Sequence, residues 1–148
     1  MRNTIWKFVL SAVVLSVVQS VAPDGAYAST VVAKIDLSSQ RMQVYVNGKR
    51  KYVWRVSTGK KGWRTPKGSF QPYSLRKKYF EKRWNMSLPY LVMINYSGGI
   101  GIHGTYQTGK LGRPASHGCI RLSVGNAAKF YGLVKKYGLS NSRVTVTK

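Results

Sequence analysis

Arg41-Met-Gln-Val-Tyr-Val46, Asn47-Gly48 and Tyr52-Val-Trp-Arg-Val-Ser57 form the stretch from which the fold is read. On both sides of Asn47-Gly48, polar and apolar residues alternate with the period of a strand that buries one face. Asn-Gly tolerates the positive φ angles that a two-residue hairpin turn demands, so the two runs read as a β-hairpin. Toward the N-terminus, Thr30-Val-Val-Ala-Lys-Ile-Asp36 is β-rich and is separated from the hairpin by a turn at Ser38-Ser-Gln40. Three strands in an antiparallel meander follow. Toward the C-terminus, Thr58 to Thr65 is a loop rich in glycine and lysine that closes on Pro66. A turn at Lys67-Gly68 and a short strand into Phe70 come next.

The second half continues in the same style. Ser74 to Asn85 is basic and aromatic and reads as a short helix or an ordered loop. Tyr90-Leu-Val-Met-Ile-Asn-Tyr96 is an apolar strand, Ser97-Gly-Gly99 a tight turn, and Ile100-Gly-Ile-His103 a short strand ending in histidine. After a polar loop from Thr105 to Ser116, Ser123 is placed as the N-cap of a helix running to about Tyr137. Ala127, Phe130, Tyr131, Val134 and Tyr137 recur at helical spacing and read as a core-facing stripe. Gly138 suits the helix end, and Arg143-Val-Thr-Val-Thr147 reads as a last strand. The expected fold is mostly β with one or two helices, with no internal repeats.

The first residues are of another kind. Arg2 and Lys7 precede a run from Phe8 to Val18 that is apolar apart from Ser11 and Ser16, and Ala26-Tyr27-Ala28 offers small residues for cleavage before Ser29. That three-part pattern predicts a cleaved export signal over 1–28 and one domain over 29–148, placed in the periplasm or cell wall. The chain carries 25 Lys plus Arg against 3 Asp plus Glu, a formal net charge of +22. Once Asp24 leaves with the signal, Asp36 and Glu81 are the only acidic side chains and neither sits in a motif. Chemistry that needs paired carboxylates is therefore disfavoured. So large a charge also predicts association with polyanions, anionic wall polymers among them, without calling for a specific nucleic acid.

The sole cysteine, Cys119, and the only two histidines, His103 and His117, fall close together. A lone cysteine is often a buried filler, but in an exported protein it risks oxidation. Its histidine neighbours give it a chemical reason to be there. A thiol needs a nearby base or positive field to act as a nucleophile near neutral pH, and imidazole is a base of suitable pKa. Gly118 permits close backbone approach, so amides at Gly118 and Cys119 are candidates for an oxyanion site. Arg113 and Arg121 add positive field for a thiolate or a substrate carboxylate. With both acids remote in sequence, a backbone carbonyl is the better candidate for orienting the base. His117 suits a supporting, hydrogen-bonded role. Zinc is the competing reading of two histidines and a cysteine, but His117-Gly-Cys119 is tight for one ion and no fourth ligand is evident, so no metal or cofactor is expected.

Ile102-His103-Gly104-Thr105 followed by Ser116-His117-Gly118-Cys119-Ile120-Arg121-Leu122 resembles the signature of the L,D-transpeptidase catalytic domain, or YkuD domain. Val56-Ser-Thr-Gly59 with Thr65-Pro66-Lys-Gly68-Ser-Phe70, and Leu88-Pro89-Tyr90 before the histidine strand, resemble the same family. The resemblance implies a β-sandwich-like fold. It implies that Cys119 is the nucleophile, His103 the general base and the Gly104 carbonyl its orienting group. Ser116, His117 and Gly118 would shape the pocket and oxyanion site, and Arg121 would support the loop or bind a substrate carboxylate. Tyr90 and Trp63 are placed beside the substrate, and 74–85 is a candidate flap whose cations would meet stem carboxylates. The implied reaction acts on a tetrapeptide stem of peptidoglycan. Cys119 attacks the carbonyl at stem position three and expels the terminal D-alanine; an amine of another stem or of an envelope protein then takes the acyl group. Two readings compete: a hydrolase or amidase on the same scaffold, and an envelope protein that merely binds polyanions.

Overall fold

The computed structural model describes residues 30–148; the export signal expected over 1–28 lies outside them. The meander is present as β1 (Val31–Asp36), β2 (Arg41–Val46) and β3 (Lys49–Arg55), paired antiparallel in chain order. Asn47 and Gly48 both take positive φ, 49° and 76°, the left-handed pair that matches the twist of a two-residue hairpin. After the 58–65 loop come β4 (Gly68–Phe70), β5 (Ser74–Arg76), β6 (Phe80–Glu81), β7 (Met86–Ser87), β8 (Leu91–Asn95) and β9 (Ile100–Thr105). Then follow β10 (Ile120–Ser123), a helix α1 (Val124–Tyr137) and β11 (Ser142–Thr147).

These strands make a five-stranded sheet in the order β3-β2-β1-β11-β4, a four-stranded sheet in the order β10-β9-β8-β5 and a two-stranded β6-β7 hairpin. Two neighbours are parallel, β1 with β11 and β9 with β10. A parallel pair cannot be joined by a tight turn and needs a long connection. For β1 and β11 the connection is nearly the whole domain, with α1 leading from β10 into β11. For β9 to β10 it is the loop 106–119, which ends at the cysteine.

The core is set by strand alternation. In β1, Val31, Ala33 and Ile35 are fully buried while Lys34 between them is exposed. Met42 and Val44 of β2 meet Val92, Ile102, Ile120 and Leu122 of the other sheet in one hydrophobic cluster. The helix adds Ala127, Phe130 and Val134, with Tyr131 and Tyr137 packed at the edge, as the stripe predicts. Ser123 Oγ accepts the Asn126 N–H at 3.3 Å, and Gly138 closes the helix at φ 96°.

One segment differs from its sequence reading. Residues 74–85, read as a short helix or an ordered loop, are strand β5, strand β6 and a single 3-10 turn at Lys82–Trp84, which β7 then folds back on β6. The segment is too short and too charged to bury a face of its own, so two-residue pairing and one tight turn satisfy its backbone instead.

Phe130 is 1% exposed and among the largest buried side chains. Phe130→Ala is expected to lower unfolding stability by about 3 to 5 kcal/mol, seen as an earlier urea midpoint; a shift of less than about 1 kcal/mol would contradict this account of the core.

Candidate active site

The parallel pairing of β9 and β10 sets Arg121 in register with His103 and Ile120 with Ile102. Residues in register on neighbouring strands point to the same face of the sheet. Ile102 and Ile120 therefore enter the core, while His103 and Arg121 turn to the other side, with Cys119 one residue before β10. All three line one cleft of about 760 Å³.

His103 is 2% exposed, and its Nδ1 lies 2.8 Å from the Gly104 carbonyl oxygen. A carbonyl only accepts, so Nδ1 carries the proton and Nε2 keeps its lone pair. Burial pushes the His103 pKa from 6.5 down to about 4, with the Gly104 carbonyl opposing the shift and Arg121 adding to it. Position 104 is held tightly: its N–H donates to the Pro89 carbonyl at 2.8 Å, and a Cβ there would come within 3.0 Å of the Val124 backbone.

Cys119 is half-buried and its Sγ lies 3.9 Å from the Gly99 carbonyl. Burial raises the thiol pKa above 9.0; a hydrogen bond from the Gly101 backbone and the Arg121 charge oppose this, and Glu81 adds to it. The resting pair is thus a neutral thiol beside a neutral imidazole. Arg121 is 4% exposed, and its Nε is buried without a hydrogen-bond partner. A buried unpaired guanidinium nitrogen in a cleft is what an anionic ligand group would satisfy.

The loop before the cysteine is held by its own polar atoms. Ser116 Oγ donates to the Cys119 carbonyl at 2.6 Å and accepts the Gly118 N–H at 3.1 Å. Thr65 Oγ1 donates to the Gly118 carbonyl at 2.7 Å and accepts the Gly59 N–H at 2.9 Å. Gly118 takes φ 118°, and a Cβ there would lie 2.8 Å from Ile100 Cδ1, so only glycine fits. One expectation changes as a result. The Gly118 amide is engaged by Ser116, which leaves Gly118 a shaping role and the Cys119 amide the better oxyanion candidate.

His117 is expected to be hydrogen-bonded, but among the described residues its ring contacts are aromatic. It stacks flat on Trp84, with ring centroids 3.8 Å apart and an interplanar angle of 3°, and meets the edge of Trp63 at 5.2 Å. Arg83 lies over both indoles, 5.0 Å from Trp84 and 5.7 Å from Trp63. Burial lowers the His117 pKa, with Lys60, Arg121 and Arg83 acting the same way. Trp84 belongs to the 74–85 segment, so that segment forms one wall of the cleft and is clamped to the cysteine loop.

Two expected substrate contacts lie elsewhere. Arg113 is exposed and does not line the cleft; its carbonyl accepts Ser57 Oγ at 2.8 Å. Tyr90, at φ 56°, packs against Tyr131 of α1, with centroids 5.8 Å apart, and is also outside the cleft lining. Its N–H bonds the Lys77 carbonyl at 2.9 Å, so it anchors the base of the 74–85 segment. Conversely, Thr65 and Glu81 have no role in the sequence reading. Thr65 sits in a quoted motif without a hint of its partner, and Glu81 is marked only by being one of two acids. Among the described residues, no group of His, Cys, Asp and Glu is placed to hold a metal.

Fold and site together define a two-sheet, mostly β domain whose parallel strands bring thiol, imidazole and guanidinium into one cleft. The family model for the L,D-transpeptidase catalytic domain, YkuD, matches residues 30–146, and the chain belongs to that family. It is similar to an L,D-transpeptidase from Mycobacterium smegmatis at TM-score 0.73 and 23% identity, covering 80% of this chain and 59% of that one. An L,D-transpeptidase solved in complex with imipenem gives 0.72 and 22%, with coverage of 80% and 59%. One from Stackebrandtia nassauensis gives 0.69 and 27%, with coverage of 80% and 56%. The chain therefore spans less than two thirds of these proteins' length. No curated protein matches its sequence.

The buried histidine makes stability depend on pH. Above pH 6.5 both folded and unfolded forms are neutral at His103, and it contributes no slope. As pH falls below 6.5 the unfolded chain binds a proton that the folded chain refuses until about pH 4. Stability is lost across that window, in total about 3 kcal/mol. Urea unfolding at pH 7 and pH 4.5 should show a larger drop for the wild type than for His103→Gln; equal drops would mean that His103 is not buried in its neutral form.

Proposed function

We propose that this protein is an exported peptidoglycan L,D-transpeptidase working in the periplasm or cell wall. The observation that carries the reading is the Nδ1 hydrogen bond of His103 to Gly104, which frees Nε2 in the cleft that holds the Cys119 thiol. Export rests on the N-terminal sequence pattern. The donor is a tetrapeptide stem. Its position-three carbonyl is attacked by Cys119 Sγ as the thiol proton passes to His103 Nε2. The tetrahedral oxyanion meets the Cys119 amide, in a geometry that Ser116 and Thr65 hold in place.

Collapse expels D-alanine, whose amine takes the proton back from His103 and leaves a thioester on Cys119. Arg121, with its unpaired Nε, suits the carboxylate of the departing D-alanine. An amine then attacks the thioester. From another stem it gives a 3→3 cross-link; from an envelope protein it gives an anchored protein. Because thiol and imidazole rest neutral, thiolate and imidazolium are formed together at the moment of attack.

Incubation of the purified protein with a disaccharide-tetrapeptide, followed by mass spectrometry, should show loss of D-alanine and a new 3→3 dimer. Cys119→Ala should abolish both, and His103→Gln should slow D-alanine release by about 10²-fold or more. Release of D-alanine without a dimer would point to hydrolysis or a protein acceptor. No release from folded, reduced enzyme would sink the donor assignment.

A formal net charge of +22 over the full sequence suits retention on anionic wall polymers by charge. Salt should then release the protein from isolated sacculi; binding that ignores salt would overturn this.

A further inference from the structure

We propose that Glu81 is the group that receives the acceptor's ammonium in the second half of the reaction. This rests on the transpeptidase reading and adds to it a named acceptor contact. The cleft that holds Cys119 is also lined by Arg64, Arg76, Arg83 and Arg121, and Glu81 is the one acid among its lining residues. That suits a donor stem, whose free carboxylates need cations. It is hostile to the acceptor, whose attacking amine is an ammonium at neutral pH and would meet four guanidinium groups before reaching the thioester. A carboxylate in the same cleft supplies the missing attraction.

The other described acid is committed elsewhere. Asp36 accepts hydrogen bonds from the hydroxyls of Ser38 and Ser39 at 2.6 and 2.8 Å, closing the turn between β1 and β2. Glu81 is free by comparison. Its Oε1 accepts the Arg83 N–H at 3.1 Å, which orients the carboxylate, and among the described residues that is its only hydrogen bond. The obvious internal partner is held away: the Arg83 guanidinium lies over the faces of Trp84 and Trp63. The Trp84 stack on His117 in turn fixes the 80–87 hairpin against the cysteine loop.

A negative charge here also has a cost, since Glu81 opposes ionisation of the Cys119 thiol. Acylation alone would be better served by a neutral residue. The charge makes sense if the second step uses it. In that step the Glu81 carboxylate holds the ammonium in the cleft by charge, and the ammonium loses one proton to solvent. The neutral amine attacks the thioester carbonyl and the C–S bond breaks. The second nitrogen proton passes through His103 to the departing sulfur, restoring the thiol.

Glu81→Gln tests this, because a glutamine Oε1 still accepts the Arg83 N–H while the charge is removed. The donor is a disaccharide-tetrapeptide, and a stem tripeptide with a free side-chain amine is titrated as acceptor. D-alanine release in a single turnover should be no slower than in wild type. The KM for the acceptor amine should rise roughly tenfold, with product shifting from cross-linked dimer to hydrolysed tripeptide, and Glu81→Asp should recover part of the transfer. An unchanged acceptor KM and an unchanged dimer-to-tripeptide ratio would overturn the role of Glu81 and leave the transpeptidase intact. D-alanine release slowed in parallel with transfer would also overturn it, since the residue would then serve the site as a whole. A wild-type enzyme that never passes its acyl group to the amine would refute the acceptor site, and one that releases no D-alanine would refute the transpeptidase reading with it.

Discussion

The site depends on one constraint, the parallel register of β9 and β10. Side chains alternate along a strand, so a slip of one residue would turn His103 and Arg121 into the core and Ile102 and Ile120 into the cleft. Those two isoleucines are 0% exposed. Their burial therefore fixes which face His103 and Arg121 share, and hydrophobic packing on one side of the sheet sets polar geometry on the other. Parallel pairing also forces a long return loop, and that loop has room for the Ser116-to-Cys119 turn that a tight hairpin would lack.

The electrostatics of the cleft follow from the same placement. In many thiol enzymes an imidazolium stabilises a resting thiolate. Here Arg121 stands in register with His103, and together with burial it keeps the imidazole neutral. The guanidinium opposes the rise of the thiol pKa, yet burial wins. A resting neutral thiol is also slow to oxidise, since the thiolate is the form that oxidants attack. In the proposed reaction the thiol would become reactive only when a carbonyl is in place to receive the sulfur's electrons as Nε2 takes its proton.

How far the sequence reveals this differs from part to part. The meander, the Asn47-Gly48 turn, the helix with its Ser123 cap and its stripe, and the last strand are legible because period and turn chemistry are local properties. The parallel pairings of β1 with β11 and β9 with β10 are not, because they join segments with no local signal. In the site, His103 and Cys119 are legible as rare residues in a specific spacing, and the structure sets both in one cleft, with His103 Nδ1 on the Gly104 carbonyl. Arg113 fails because nearness in sequence to Cys119 was its only support, and the loop carries it outward. Tyr90 fails because it lies one residue before β8, where the backbone turns through positive φ and aims the ring at Tyr131. His117 shows the reverse: its sequence position suggests hydrogen bonding, and only the fold brings Trp84 across to cover it.

A domain with one cysteine has no disulfide to hold a catalytic loop, and with so few acids it has almost no ion pairs to use either. Its cysteine loop is strapped by neutral contacts instead. Backbone bonds join Lys60 N to the Ser116 carbonyl at 3.0 Å and both Ala115 N and Ser116 N to the Thr58 carbonyl at 2.9 Å. A two-way bridge links Ser57 and Arg121, and the Trp63–His117–Trp84 cluster closes the remaining side. Hydrogen bonds and stacked rings of this kind are little affected by ionic strength, whereas contacts between surface charges are screened within about 10 Å at 0.1 M salt. The geometry of the site is therefore insulated from the ionic strength around so basic a domain.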